Sequence, residues 1–295
     1  SMKTFYALAM FIVVLAAKGQ TLVVLGTLQD AGSPHMDCAK NCCAIERLND
    51  YVVSLGVIDD DNMYVFEATP DFVAQTNYLR SLGAAERYSI FLTHAHMGHY
   101  AGLIHLGREA ANSDRVPVYA MPRMHQFLRT NGPWNQLIRL ENIVIQPLQN
   151  ETPVGLSDRL KVTPLLVPHR DEYSETVGYH IQGKSKSALF IPDIDKWELW
   201  EKDIISIISS VDYAFLDATF FAEGEIPRPM AEVPHPFVVE SVDMFNNLPE
   251  SEKNKIYFIH LNHSNPARDV EFSGRKQLEK DGYRFASFGM QFPLD

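Results

Sequence analysis

Short apolar runs, each closed by a polar or small residue, recur along the chain and predict alternating strands and helices. Leu22-Val23-Val24-Leu25-Gly26-Thr27 reads as a buried strand that ends at a glycine and opens into the loop Ala31-Gly32-Ser33-Pro34. Further strands are expected over 51–58 and 63–67, while the acidic start and spaced apolar residues of 71–81 suit a helix. Ser89-Ile90-Phe91-Leu92 is the next apolar run, and it delivers Thr93 and a group of histidines to its end, ahead of a helix expected near 100–111. In the second half, strands are expected at 161–167, 176–181, 188–191, 213–216 and 256–259, with helical stretches near Trp197 and over 238–245. Several of these strands end in His or Asp, where loops on a rigid scaffold usually carry chemistry.

Composition adds a large core to this picture. With 295 residues, 46% of them hydrophobic and 21% charged, nothing suggests disorder. No Pro/Gly/Ser linker, charge block or repeat marks a boundary, so 20–295 is expected to be a single domain. A net charge of −11 argues against nucleic acid as the main partner, since phosphate binding needs clustered Lys and Arg; a small-molecule substrate is expected instead. Met2 and Lys3, followed by the apolar run from Phe5 to Ala17, have the pattern of a secretory signal over 1–19. That run is short for a transmembrane helix, so the expectation is export to a periplasm without stable membrane insertion, or a cytoplasmic location if the segment is not a signal.

The chemistry centres on Thr93-His94-Ala95-His96-Met97-Gly98-His99, three histidines within six positions after an apolar strand. A lone loop histidine would be unremarked; three imidazoles this dense can converge on a metal such as zinc, iron or manganese and leave a position open for water or substrate. A second cluster, Cys38, Cys42 and Cys43 with His35 upstream, holds every cysteine of the chain. It could supply most of a closed tetrahedral zinc site; free thiols or a vicinal disulfide are the alternatives.

The histidine stretch resembles the H-x-H-x-D-H motif of the metallo-β-lactamase superfamily, and later ligand positions follow in order: His169 in Val167-Pro168-His169-Arg170, Asp193 in Phe190-Ile191-Pro192-Asp193, and His260 in Phe258-Ile259-His260. The resemblance implies an α/β fold, an αββα sandwich of two mixed β-sheets flanked by helices. It implies that His94, His96 and His169 hold one metal, that His99 and His260 hold a second, and that Asp193 is shared, with Asp193 and His260 in the catalytic centre. One or two catalytic zinc ions are expected, with Mn2+ or Fe2+ open. The departure is Gly98, where the motif has a metal-binding aspartate; Asp195 is a nearby substitute.

Within the superfamily, members resembling pyrroloquinoline quinone biosynthesis protein B and the cyclic phosphodiesterase of phosphonate catabolism carry a C-x-C-x-x-C zinc loop after the first strand, a spacing from which Cys38, Cys42 and Cys43 depart. His263 stands three residues after His260, at the offset of that phosphodiesterase's fourth ligand. The resemblance therefore implies a structural Zn2+ on Cys38, Cys42, Cys43 and His263, with His35 as the substitute. Asp217 is a candidate to anchor a ligand histidine, and Arg170, Tyr173 and Ser174 are candidates for the rim. Asn131-Gly132-Pro133-Trp134 reads as a turn with an aromatic tip, and His105, His125, His180 and His235 are isolated with no role. A metal-dependent hydrolase acting on a phosphodiester or other ester is the leading expectation. An iron-dependent oxidative enzyme and a non-catalytic metal-binding protein are the alternatives.

Overall fold

Two seven-stranded sheets face each other in the computed structural model, which describes residues 19–44, 49–83 and 87–295. The expected leader over 1–19 lies, apart from Gly19, outside the described residues. In chain order the strands are β1 (Thr21–Gly26), β2 (Ser54–Asp59), β3 (Asn62–Phe66), β4 (Arg87–Phe91), β5 (Val116–Ala120), β6 (Ile143–Pro147) and β7 (Val154–Gly155). They continue with β8 (Lys161–Leu166), β9 (Val177–Gln182), β10 (Ser187–Ile191), β11 (Tyr213–Asp217), β12 (Ile256–Ile259), β13 (Arg284–Phe285) and β14 (Gln291–Pro293). The sheet orders are β14-β1-β2-β3-β4-β5-β6 and β13-β12-β11-β10-β9-β8-β7. This is the expected αββα sandwich of two mixed sheets. No helix among the described residues is long and apolar enough to cross a membrane.

The sandwich explains why the strands read as continuous apolar runs rather than as alternating ones. Leu22 and Val24 of β1 enter the core between the sheets, together with Phe190 of β10 and Phe215 of β11. Their neighbours Val23 and Leu25 face outward onto the helix Phe72–Leu82 and its surroundings. Leu189 and Ile191 likewise pack outward against the helices Ile204–Ser210 and Val238–Phe245. Strands buried on both faces need apolar residues at every position.

Strand direction decides where the loops meet. β3 to β6 run parallel to one another, as do β10 to β13. β1 and β3 share a direction because each is antiparallel to β2, and β8 and β10 do so because each is antiparallel to β9. The segments leaving β1, β3 and β4 on one sheet, and β8, β10, β11 and β12 on the other, therefore gather at one rim. Ligands of open α/β sheets bind at such carboxyl ends.

The helix expected near 100–111 differs: the chain forms one α-turn, Met97–Tyr100, and then a 3-10 helix, Ala101–Leu106. The segment is tied sideways, with Ala68 N–H donating to His99 O and Gly102 N–H to Ala68 O. A Cβ on Gly102 would lie 2.0 Å from Thr69 O, so the close approach needs glycine and diverts the chain from a regular helix.

Candidate metal centre

Asp193 lies at the centre of the rim, buried with its Oδ2 3.0 Å from His99 Nε2, 3.1 Å from His260 Nε2 and 3.8 Å from His94 Nε2. Its Oδ1 stands 3.6 Å from His169 Nε2. These close charge contacts lack hydrogen-bond geometry: Oδ2 of Asp193 and both ring nitrogens of His169 are buried without a hydrogen-bond partner. Buried polar atoms are rarely left so, and a set of nitrogens and carboxylate oxygens converging on shared points is what a divalent metal requires. Two clusters result, His94 with His96 and His169, and Asp30 with His99, Asp193 and His260, the donor atoms of each lying within 4.8 Å of one another. The residues present fit a metal.

Each imidazole is oriented from behind. Thr93 Oγ1 donates to Glu67 Oε2 at 2.9 Å and thus accepts from His94 Nδ1 at 2.8 Å, leaving His94 Nε2 facing the centre. Glu67 also takes His99 Nδ1 directly, which frees His99 Nε2. The other sheet repeats the device: Thr219 Oγ1 donates to Asp217 Oδ1 at 2.6 Å and accepts from His260 Nδ1 at 2.7 Å. His96 is turned the other way, its Nε2 on Glu172 at 2.8 Å, so that Nδ1 faces inward. Such partners fix tautomer and ring orientation. Glu67 and His260 adopt φ of 84° and 68°, a left-handed conformation costing on the order of 1–3 kcal/mol each that turns their side chains into the rim.

The electrostatics divide the cluster. Burial, aided by the charge of His99, pushes the His94 pKa well below the usual histidine range, and burial brings His169 down to about 4. Burial would also lower His99 and His260. The charges of Glu67 and Asp30 outweigh it at His99, which is held well above the usual range. Asp193 and Asp30 outweigh it at His260, which is held up to about 10. In return, and against burial, these imidazoles hold the Asp30 and Asp193 carboxyls well below the ordinary carboxylate range. Without metal, burial keeps His94 and His169 neutral, whereas His99 and His260 are ion-paired with Glu67, Asp30 and Asp193.

The sulfur cluster forms beside this rim. Cys38, Cys42, Cys43 and His263 bring one donor atom each to within 4.8 Å of the others. Cys38 Sγ is 3.9 Å from Cys42 Sγ, and Cys42 Sγ is 4.0 Å from Cys43 Sγ, far beyond disulfide bonding. A tetrahedral zinc with Zn–S of about 2.3 Å has an S···S edge of about 3.8 Å, so adjacent Cys42 and Cys43 can share one ion. His263 Nδ1 is buried without a partner, whereas His35 stacks on the His263 ring with its own Nδ1 against Met36 O.

Three sequence readings change. His235 is not isolated: its Nδ1 lies 2.7 Å from Asp217 Oδ2, and its ring stacks within 5.9 Å of His260. Asp217 accordingly anchors His235 directly and His260 only through Thr219. Ser174 is not at the rim for substrate, since its Oγ accepts Ala95 N–H at 2.8 Å and braces the histidine turn. Arg170 and Tyr173 do stand exposed there, Tyr173 packed on Phe127, while Trp134 opens the helix Trp134–Arg139 and packs on Tyr100.

Residues 62–261 match the family described as the beta-lactamase superfamily domain. The chain belongs to the beta-lactamase superfamily. This superfamily member is 25% identical over 317 residues to Coenzyme PQQ synthesis protein B of Nitrosococcus oceani, covering 92% of this chain and 99% of that protein. The same protein of Ruegeria pomeroyi is 23% identical over 305 residues, at 92% and 99% coverage. Among solved structures, zinc-bound PqqB from Methylobacterium extorquens superposes with a TM-score of 0.77 at 19% identity, covering 92% of this chain and 99% of that one. A diphosphatase of the PhnP family superposes with 0.67 at 23% identity, covering 94% and 97%. Besides Asp193, a second carboxylate stands beside His99 and His260, that of Asp30 from the loop after β1; Asp195 instead accepts the N–H of Lys196 at 2.7 Å. A single loop aspartate carries no sequence signal, and only the shared strand direction of β1 and β3 brings it here.

Proposed function

We propose that this chain is a metal-dependent hydrolase of phosphodiesters or related esters, with two divalent ions, zinc in the first instance, at the rim. His94, His96 and His169 hold one ion, His99, His260 and a second carboxylate hold the other, and Asp193 lies between them. A further structural zinc sits on Cys38, Cys42, Cys43 and His263. The observation that carries the reading is the buried, unpartnered pair of His169 nitrogens beside an Asp193 oxygen that faces three imidazoles without a hydrogen bond. When bound, ions there supply Lewis acidity to the scissile group and lower the pKa of a coordinated water. The PhnP-family diphosphatase neighbour favours a phosphate-containing substrate.

The chain's own groups do the rest. The motif histidines bury all but one approach: His94, His99, His169 and His260 are essentially sealed, while His96 keeps 17% of its side chain exposed and His235 11%. Substrate enters past these two. His235, its Nδ1 fixed by Asp217, is placed to hold a proton at Nε2 for a departing oxygen.

The test is hydrolysis of a panel of phosphodiesters, phosphomonoesters, carboxylic esters and lactams by zinc- or manganese-loaded protein. Turnover of at least one phosphodiester is expected, and inertness toward the whole panel would remove the reading. His235→Ala is expected to lower kcat by about 10²-fold or more for a poor leaving group and much less for p-nitrophenolate, which needs no proton.

Proton release gives an independent check. Zinc uptake at His99 and His260 displaces protons from imidazoles whose pKa values are raised, so its affinity should climb with pH up to about 10. Uptake at the side of His94 and His169, whose pKa values burial lowers, should depend on pH much less. Calorimetry in buffers of different ionisation enthalpy should find about one to two protons released for the ion on His99 and His260 and fewer for the other. Equal release at both would contradict the division.

The match to Coenzyme PQQ synthesis protein B over nearly its whole length supports a second reading, a role in the synthesis of that cofactor, for which the sequence resemblance suggests an iron-dependent oxidative enzyme. Metal analysis of protein from its native source separates the two: zinc without iron favours the hydrolase.

A further inference from the structure

Position 98 leaves no room for any side chain. A Cβ placed there would lie 2.5 Å from Asp30 Cα and 2.7 Å from both Asp30 Cβ and Cγ. The space into which a residue at 98 would project is thus filled by Asp30, backbone as well as carboxylate. We propose that Asp30 is the metal ligand that the motif aspartate supplies elsewhere in the superfamily, brought in from the loop after β1 and admitted by the glycine. This rests on the two-ion reading above.

The carboxylate is aimed for that role. Asp30 Oδ1 stands 3.2 Å from His99 Nε2 and 3.3 Å from His260 Nε2, the two nitrogens left free by Glu67 and Thr219. Its Oδ2 accepts the N–H of Gly98 at 3.0 Å, which fixes the rotation of the group and leaves Oδ1 toward the centre. Only 12% of the side chain is exposed.

The loop that carries it is stitched to the strand end that carries His260. Leu28 bridges both Val52 and Leu261, Gln29 N–H donates to Leu261 O at 3.0 Å, and Leu261 N–H donates to Thr27 O at 2.8 Å. Ligand and ligand-bearing strand therefore move together. With Asp193, Asp30 restores to this side the two carboxylates that the superfamily motif provides, so the charge offered to a divalent ion is unchanged although the chain position is not. A simple ion pair between Asp30 and two imidazolium rings would show the same distances without metal, and stoichiometry distinguishes the two.

The experiment is equilibrium dialysis of the full chain against Zn2+, with metal content by mass spectrometry, on wild type, Asp30→Ala, Asp30→Asn and, as the contrast for the other side, His169→Ala. Wild type is expected to bind two ions beyond that of the cysteine loop. Both Asp30 variants should bind one, with affinity for the lost ion weakened at least ~100-fold, the upper end of what losing a partner outside the metal's own ligands costs. Co2+ substitution gives a second readout, with the absorption of one site lost in the Asp30 variants and of the other in His169→Ala. Asp30→Asn keeps the shape and the bond to Gly98 N–H, so the test survives if Asp30→Ala folds poorly. Two tight ions in Asp30→Asn would overturn the proposal. Fewer than two in wild type would instead overturn the two-ion reading, and the proposal with it.

Discussion

Asp193→Ala is expected to lower kcat/KM by at least ~10³-fold, about 4 kcal/mol at roughly 1.4 kcal/mol per tenfold. The size follows from position. Every other candidate ligand serves one side of the rim, whereas Asp193 faces His94, His99 and His260 with one oxygen and His169 with the other. Its loss should empty both sides, seen as the loss of two ions per chain, while His169→Ala and His260→Ala each empty one. The metal-free protein should also respond: without this buried carboxylate His260 loses the main charge opposing its desolvation, so its pKa should fall from about 10. Steady-state hydrolysis and metal content check the first statement, and NMR titration of the His260 ring checks the second. An Asp193→Ala enzyme with unchanged turnover and a full complement of ions would remove the carboxylate from the mechanism.

Cys43→Ala is expected to free the cysteine loop and, through it, weaken the His260 side. Apart from Cys43 within the sulfur cluster, the residues from 31 to 44 are half-buried or exposed, so apolar packing does little to hold this segment. Besides Arg268 donating to Ser33 Oγ and the His35–His263 stack, the four donors of Cys38, Cys42, Cys43 and His263 are what tie it down. Structural zinc contributes about 10–16 kcal/mol to folding in small zinc-finger peptides; here only the loop depends on it, and the effect should be local. Cleavage within 33–44 by a low-specificity protease should accelerate at least ~10-fold, with little change in the global melting transition, because exposed segments open with free energies far below the global one. His263 lies three residues after His260, and Asp30 lies just upstream of the loop, so zinc affinity at that side should fall as well. Unchanged protease resistance and three bound ions would contradict the assignment.

The sandwich was legible in the strands that read as unbroken apolar runs, because burial on both faces leaves no polar position to confuse the pattern. β1, β10 and β12 show this, and the helix Val238–Phe245 begins and ends at the residues expected from its spacing. β5 and β6 escaped notice because each contains a proline: the burial of β5 alternates, but its sequence Val116-Pro117-Val118-Tyr119-Ala120 shows no matching polar positions, and β6 is mostly half-buried. The site divides similarly. His94, His96 and His99 are visible because one turn holds all three. His169, Asp193 and His260 follow from their places at strand ends once the motif is seen. Asp30 and His235 are single polar residues in loops, and their roles depend on parallel strand direction and on Asp217, which no local pattern encodes. Gly98 looked like a loss, and it is the neighbouring backbone, not the side chain, that shows what the glycine admits.

Diffraction from zinc-loaded crystals with data on both sides of the zinc absorption edge tests the central claim most directly. The account predicts two anomalous peaks at the rim, about 3.5–4 Å apart as in two-metal hydrolytic sites. One should lie on His94, His96 and His169, and the other on Asp30, His99 and His260, with Asp193 between them. A single peak at the rim, or none with Asp193 still facing its imidazoles, would contradict it.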